Sequence, residues 1–101
     1  MDMDKEKIIR NNLNLQDLLT NELLKKHSIS ALMQLLDMGR EIELTYNNHV
    51  VSITHSNGKL LLVYKEKTQY FDNIWSVVIK GEIDEEYFVN YWNRMNIKGL
   101  F

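Results

Sequence analysis

Between residues 40 and 46 apolar and polar side chains alternate with a period of two, and two further apolar-rich runs, each set off by turn-forming residues, extend to residue 66. Ile42, Leu44 and Tyr46 fall on one side of the first run, with Glu41, Glu43 and Thr45 on the other. That period is the mark of a half-buried strand. Asn47-Asn48 and Asn57-Gly58 follow the first and second runs, and both pairs suit a two-residue hairpin whose central positions take positive φ. The reading is three antiparallel strands over roughly 40–46, 49–56 and 59–66.

Counting outward from the two turns tests that reading. Leu44 then opposes Val51, Ile42 opposes Ile53, Ile53 opposes Leu62, and Val51 opposes Tyr64. All of these fall on one face, and slipping either turn by one residue would scatter the set. The other face carries Glu41, Glu43, Thr45, Ser52 and Thr54, but also Val50, Leu61 and Val63. Such an apolar stripe on a sheet's second face is either covered by a terminal helix or meets another chain.

Helical spacing flanks the strands. The Asn-rich stretch 11–14 is a break, because Asn side chains compete for backbone hydrogen bonds. Leu15, Leu18, Leu19 and Leu23 then share one helix face, with Lys25, Lys26 and His27 in its last turn. Ser28 or Ser30 caps a second helix over 29–38, and Gly39 ends it. After the strands, Asp72 is read as the cap of a helix through Ile74, Trp75, Val78 and Ile79, closed by Gly81. Asp84 is read as the cap of a final helix with Glu85 and Glu86 in its first turn and an aromatic face of Tyr87, Phe88, Tyr91, Trp92 and Met95. The expected fold is α+β in one domain over 1–101: N-terminal helices, a three-stranded antiparallel meander and two C-terminal helices.

Composition narrows the function. Apolar residues make up 45% of the 101-residue chain and charged residues 26%, which is ordinary globular usage. The formal net charge is -2 and is evenly spread, with six basic and eight acidic groups in residues 1–48 and six of each in 49–101. Duplex binding draws on clustered Lys and Arg, and the only such pair is Lys25-Lys26. With no cysteine there is neither a disulfide frame nor a thiolate site. No apolar run approaches the length that spans a bilayer, and the first ten residues lack a signal-peptide core, so a cytoplasmic location is expected.

No catalytic or cofactor-binding constellation emerges. His49 and His55 share a strand face, yet six residues at about 3.3 Å each hold them roughly 20 Å apart, too far for one ion. His55 is placed at the sheet rim beside Arg40 and Leu60. Thr54-His55-Ser56 adjoins a hairpin turn, where small polar residues belong in any case. The carboxylates Glu82, Asp84, Glu85 and Glu86 read as a helix start, and the four glycines as stops and turns rather than a phosphate loop.

The segments LLDMGREIELTYNN, HVVSITHSNGKLLLVYKEKTQYF and KGEIDEEYFVNYWNRM, within residues 35–95, resemble a loose class of small uncharacterised proteins of low-GC bacteria and their phages. Eleven Asn, nine Lys, nine Ile and no Pro fit an AT-rich source. The resemblance implies a helix, a meander and terminal helices, often on mobile elements, and transfers no functional residue. The expectation is a non-enzymatic interaction module without cofactor, such as a stoichiometric inhibitor of a host defence protein of the anti-CRISPR type. Its protein-binding residues would be Glu41, Glu43, Val50, Leu61, Val63 and Lys65, with a host protein or a second copy as partner. The alternative is a small DNA-binding regulator placing Lys25, Lys26 and Arg40 of the N-terminal helices on phosphates.

Overall fold

The computed structural model describes residues 15–101; the predicted helix break at 11–14 lies outside them. The chain runs α1 (Leu15–Lys26), α2 (Ile29–Asp37), β1 (Ile42–Tyr46), β2 (His49–Ser56), β3 (Lys59–Tyr64), β4 (Lys67–Phe71), α3 (Ile74–Lys80), β5 (Glu82–Ile83), β6 (Glu86–Tyr87), α4 (Phe88–Tyr91), one 3-10 turn (Trp92–Arg94) and β7 (Asn96–Leu100). The class is α+β, built on an antiparallel five-stranded sheet of order β4-β3-β2-β1-β7.

The two hairpins form in the predicted register. Ile42 opposes Ile53, Leu44 opposes Val51, Val51 opposes Tyr64 and Ile53 opposes Leu62. Asn47 and Asn48 have φ of 52 and 66, and Asn57 and Gly58 of 52 and 77, so both turns match the right-handed twist of their strands. The inward side chains Ile42, Leu44, Val51, Ile53 and Leu62 are fully buried, in one core with Leu23, Leu32, Leu35, Leu36, Val77 and Phe88 from the helices.

Ser28 caps α2 by accepting from the Ala31 N–H at 3.1 Å. Gly39, at φ 95, ends the helix, with the Gly39 and Arg40 N–H groups donating to Leu36 and Leu35. In α1 only Leu19 and Leu23 of the predicted face are buried; Leu15 and Leu18 are exposed, because α1 packs mainly along α2.

Three expectations need correction. The meander has four strands, not three: Lys65-Glu66 turns the chain with Lys65 at φ 56, and Lys67–Phe71 pairs antiparallel with β3. A fifth strand, β7, pairs with β1, the register shifting between Glu43 and Leu44. The predicted final helix is mostly absent. Asp84 caps nothing; at φ 54 it lies in the turn of the short β5–β6 hairpin, and the helix that follows is one turn long. The reason is local: Asp tolerates the left-handed region, while Ile83 is buried only if the chain reverses there. The cap of α3 is also displaced by one. Asn73 Oδ1 accepts from the Ser76 N–H at 2.9 Å, whereas Asp72 pairs with Lys59.

Gln69 fastens the β5–β6 hairpin to the sheet through two hydrogen bonds. Gln69 Oε1 accepts from the Glu82 N–H at 2.8 Å and its Nε2 donates to the Glu82 carbonyl at 2.7 Å. Gln69→Ala removes both bonds and is expected to cost about 1–2 kcal/mol, measured by urea denaturation, with amide exchange at Glu82 accelerating before that in the central strands.

Candidate functional site

Of the six sequence-predicted residues, Glu43 lies on the same sheet face as the aliphatic stripe, in line with Val63 across Ser52. Val50, Leu61 and Val63 share the outer face of the sheet, and the helices among the described residues pack on the opposite face. The stripe is interrupted, however: Val63 lies opposite Ser52 and Thr68, Leu61 opposite Thr54 and Tyr70, and Val50 opposite Thr45. Glu43 faces Lys98 at 3.9 Å. Glu41 accepts from the His55 N–H at 2.8 Å, which tucks its carboxylate against the sheet rim. Lys65 leaves the stripe through its turn and reaches Asp84 at 3.5 Å. What remains is a face on which Val50, Leu61 and Val63 are interleaved with hydroxyl side chains and the exposed Tyr70 ring, a mixture common on the solvent side of an antiparallel sheet.

An apolar concavity lies on the helical side. It is a trough of about 610 Å³ between α2 and α3, open along one side, with α4 contributing at its margin. Ile29 and Met33 line one wall, Trp75, Val78 and Ile79 the other, and Val89 the margin. Helix α3 has the sequence IWSVVIK, apolar nearly all round. Ile74, Val77 and Val78 turn into the core, so Trp75 and Ile79, one turn apart, are left facing out at 64% and 52% exposure, and Val89 at 43%. A helix on a monomer surface normally presents polar residues there.

The polar groups of the trough are few: Ser30, Gln34, Asn73 and Asp37, of which Asp37 alone is ionisable. The lining is thus mostly apolar with few polar groups. Sequence reasoning assigned Trp75 and Ile79 to a helix but not to a site. The legible signal was that the two i, i+4 pairs Ile74/Val78 and Trp75/Ile79 make α3 too broad to bury whole.

The chemistry-bearing residues are engaged structurally. His55 Nε2 lies 3.1 Å from the Arg40 carbonyl, beside Leu60 as the register required. The His49 ring sets its edge toward Tyr64 at 6.0 Å. His27, at φ 53, stacks on Trp92 at 4.1 Å, and the Trp92 indole N–H donates to the His27 carbonyl at 2.9 Å. Among the described residues no three His, Asp or Glu side chains converge to hold a metal ion, and no helix is long and apolar enough to cross a membrane. Of the cations assigned to phosphates, Lys26 pairs with Glu22 at 3.3 Å, and the Arg40 guanidinium donates to the Phe101 carbonyl and Gln16.

A polar corner joins Tyr64, Lys65, Gln69, Glu82 and Asp84. Burial raises the Tyr64 phenol above its ordinary 10.0, the Asp84 carboxylate adds to the rise and Lys65 opposes it. Burial raises Tyr91 likewise, with Tyr46, Glu86 and Asp84 acting in the same sense. A phenol kept neutral in the fold favours folding only while the unfolded phenol is also neutral. Stability is therefore full below pH 10 and falls as the pH rises from there toward the raised folded values. Urea midpoints should drop on going from about pH 9 to about pH 11, and Tyr64→Phe should flatten that drop; an unchanged slope in the variant would contradict the assignment.

Comparison with protein-family models, curated proteins and solved structures found no match to this chain.

Proposed function

We propose that this chain is a non-enzymatic protein-interaction module that captures a segment of one partner protein in the α2–α3 trough. The observation that carries this is Trp75: a large aromatic side chain left 64% exposed on a helix that has core-facing positions of its own, beside Ile79 and Val89. Half-exposed apolar residues around one concavity carry a standing cost in water, which a partner relieves on binding. Tryptophan is also among the side chains that most often dominate binding energy. Stoichiometric inhibition of a host protein, the role read from the sequence, needs no more than such a surface, since occupying a partner requires no chemistry from the inhibitor.

The sheet's outer face is the weaker candidate, because its aliphatic residues alternate with hydroxyls. The DNA-binding alternative is weaker still, with a net charge of -2 and two of its three cations already engaged.

The test is capture on the immobilised full chain, identification of what is retained, and titration of the purified partner. Trp75→Ala should weaken that affinity by at least tenfold, while Val63→Glu leaves it unchanged. The reverse pattern would move the site to the sheet, and equal affinity for both variants would exclude both surfaces.

A further inference from the structure

We infer that the occupant of the α2–α3 trough is an amphipathic helix of the partner, with a cationic side chain near one end of its apolar anchors that pairs with Asp37. This rests on the trough being the docking surface, as proposed above.

The lining dictates the backbone of the occupant. Both walls are helices whose N–H and C=O groups bond internally, so neither offers a ladder to an extended segment. An extended peptide pressed among Met33, Trp75 and Ile79 would bury its own backbone polar groups unpaired, whereas a helix brings them already satisfied. Dimensions agree. The nine residues of α2 span about 13 Å, and helical anchors at i, i+4 and i+7 span about 10 Å.

The charge dictates the end group. Asp37 is the only ionisable residue lining the trough, and it occupies the last turn of α2, where the negative pole of the helix disfavours an acid. That turn holds no basic residue, and among the described residues no cation forms an ion pair with Asp37. Carboxylate and helix pole together make one end of an apolar trough negative. A helix bearing Lys or Arg next to its anchors complements both features, and in one direction only.

The probes are three synthetic 16-residue peptides with Leu, Leu and Phe at i, i+4 and i+7. One carries Lys a turn beyond the anchors, one carries Glu there, and one is the Lys peptide with a central proline that prevents a continuous helix. Each is titrated into the full chain and followed by the emission of Trp75, Trp92 being buried against His27. The Lys peptide should bind at least tenfold tighter than the Glu peptide, and the proline peptide should not bind. Asp37→Asn should erase the charge preference and Asp37→Lys should reverse it. Equal affinities for the Lys and Glu peptides, binding of the proline peptide, or no binding of any peptide would overturn the inference. So would a dimer of the free chain in sedimentation that Trp75→Ala dissolves, since the trough would then be filled by a second copy. These failures are distinct from failure of the docking site itself, which is read from the natural partner: if Trp75→Ala still weakens its capture, the trough stands and only its helical occupant falls.

Discussion

Trp92→Ala is expected to destabilise the free domain by about 3–5 kcal/mol, the range for removing a large buried aromatic. The indole is 5% exposed, stacks on His27 at 4.1 Å and donates to the His27 carbonyl at 2.9 Å. The His27 ring nitrogen in turn lies 2.7 Å from the Trp92 carbonyl. This reciprocal clamp ties the end of α1 to a segment 65 residues later. Removing the ring leaves a cavity and strands the His27 carbonyl, so the cost combines lost packing with a lost hydrogen bond. Thermal unfolding should fall by roughly 15 °C or more for a domain of this size. The effect should be much larger than that of Trp75→Ala, whose indole is mostly in water. Comparable losses for the two tryptophans would contradict the assignment of one to the core and the other to the surface.

The clamp also shows where the sequence stopped being readable. The meander register was legible because the Asn-Asn and Asn-Gly turns favour positive φ and because the alternation leaves no second alignment that buries Ile42, Leu44, Val51, Ile53 and Leu62 together. Strand β4 was hidden for the opposite reason. Its turn, Lys65-Glu66, contains neither Gly nor Asn, and KTQYF has little apolar alternation. At the C-terminal end the aromatic spacing identified what is buried but not the backbone that buries it. Phe88, Tyr91, Trp92 and Met95 are all in the core, yet Asp84 reverses the chain just before them and Asn96–Leu100 leaves as a strand. A spacing of i, i+3, i+4 and i+7 fits one helix, and equally a helical turn, a 3-10 turn and a strand start folded over the same core. The trough lies beyond such patterning altogether. Its walls are adjacent only because the sheet between α2 and α3 folds as it does.

Phe88→Ala should have a comparable effect, about 3–5 kcal/mol, and it bears on the trough. Phe88 is fully buried and begins α4, which at four residues cannot hold itself by its own hydrogen bonds. The ring anchors that turn beneath α3, with Trp92 at 6.0 Å between centroids. Without it Val89 loses its fixed place at the margin of the trough, so partner affinity should fall even under conditions where the variant is still folded. Because Phe88 and Trp92 touch, the double alanine variant should lose less than the sum of the two single losses. Calorimetry of all three variants checks this; strict additivity would mean the two rings act independently.

The central claim is that the trough, and not the sheet, receives the partner, and the two indole N–H resonances of the full chain report on it directly. On titration with the purified partner, the Trp75 indole and the amides of Met33, Ile79 and Val89 should shift together, while the amides of Thr54, Leu61 and Val63 stay in place and Trp92 keeps the shift set by its bond to His27. Movement of the Thr54, Leu61 and Val63 amides with Trp75 unmoved would place the partner on the sheet and contradict the account.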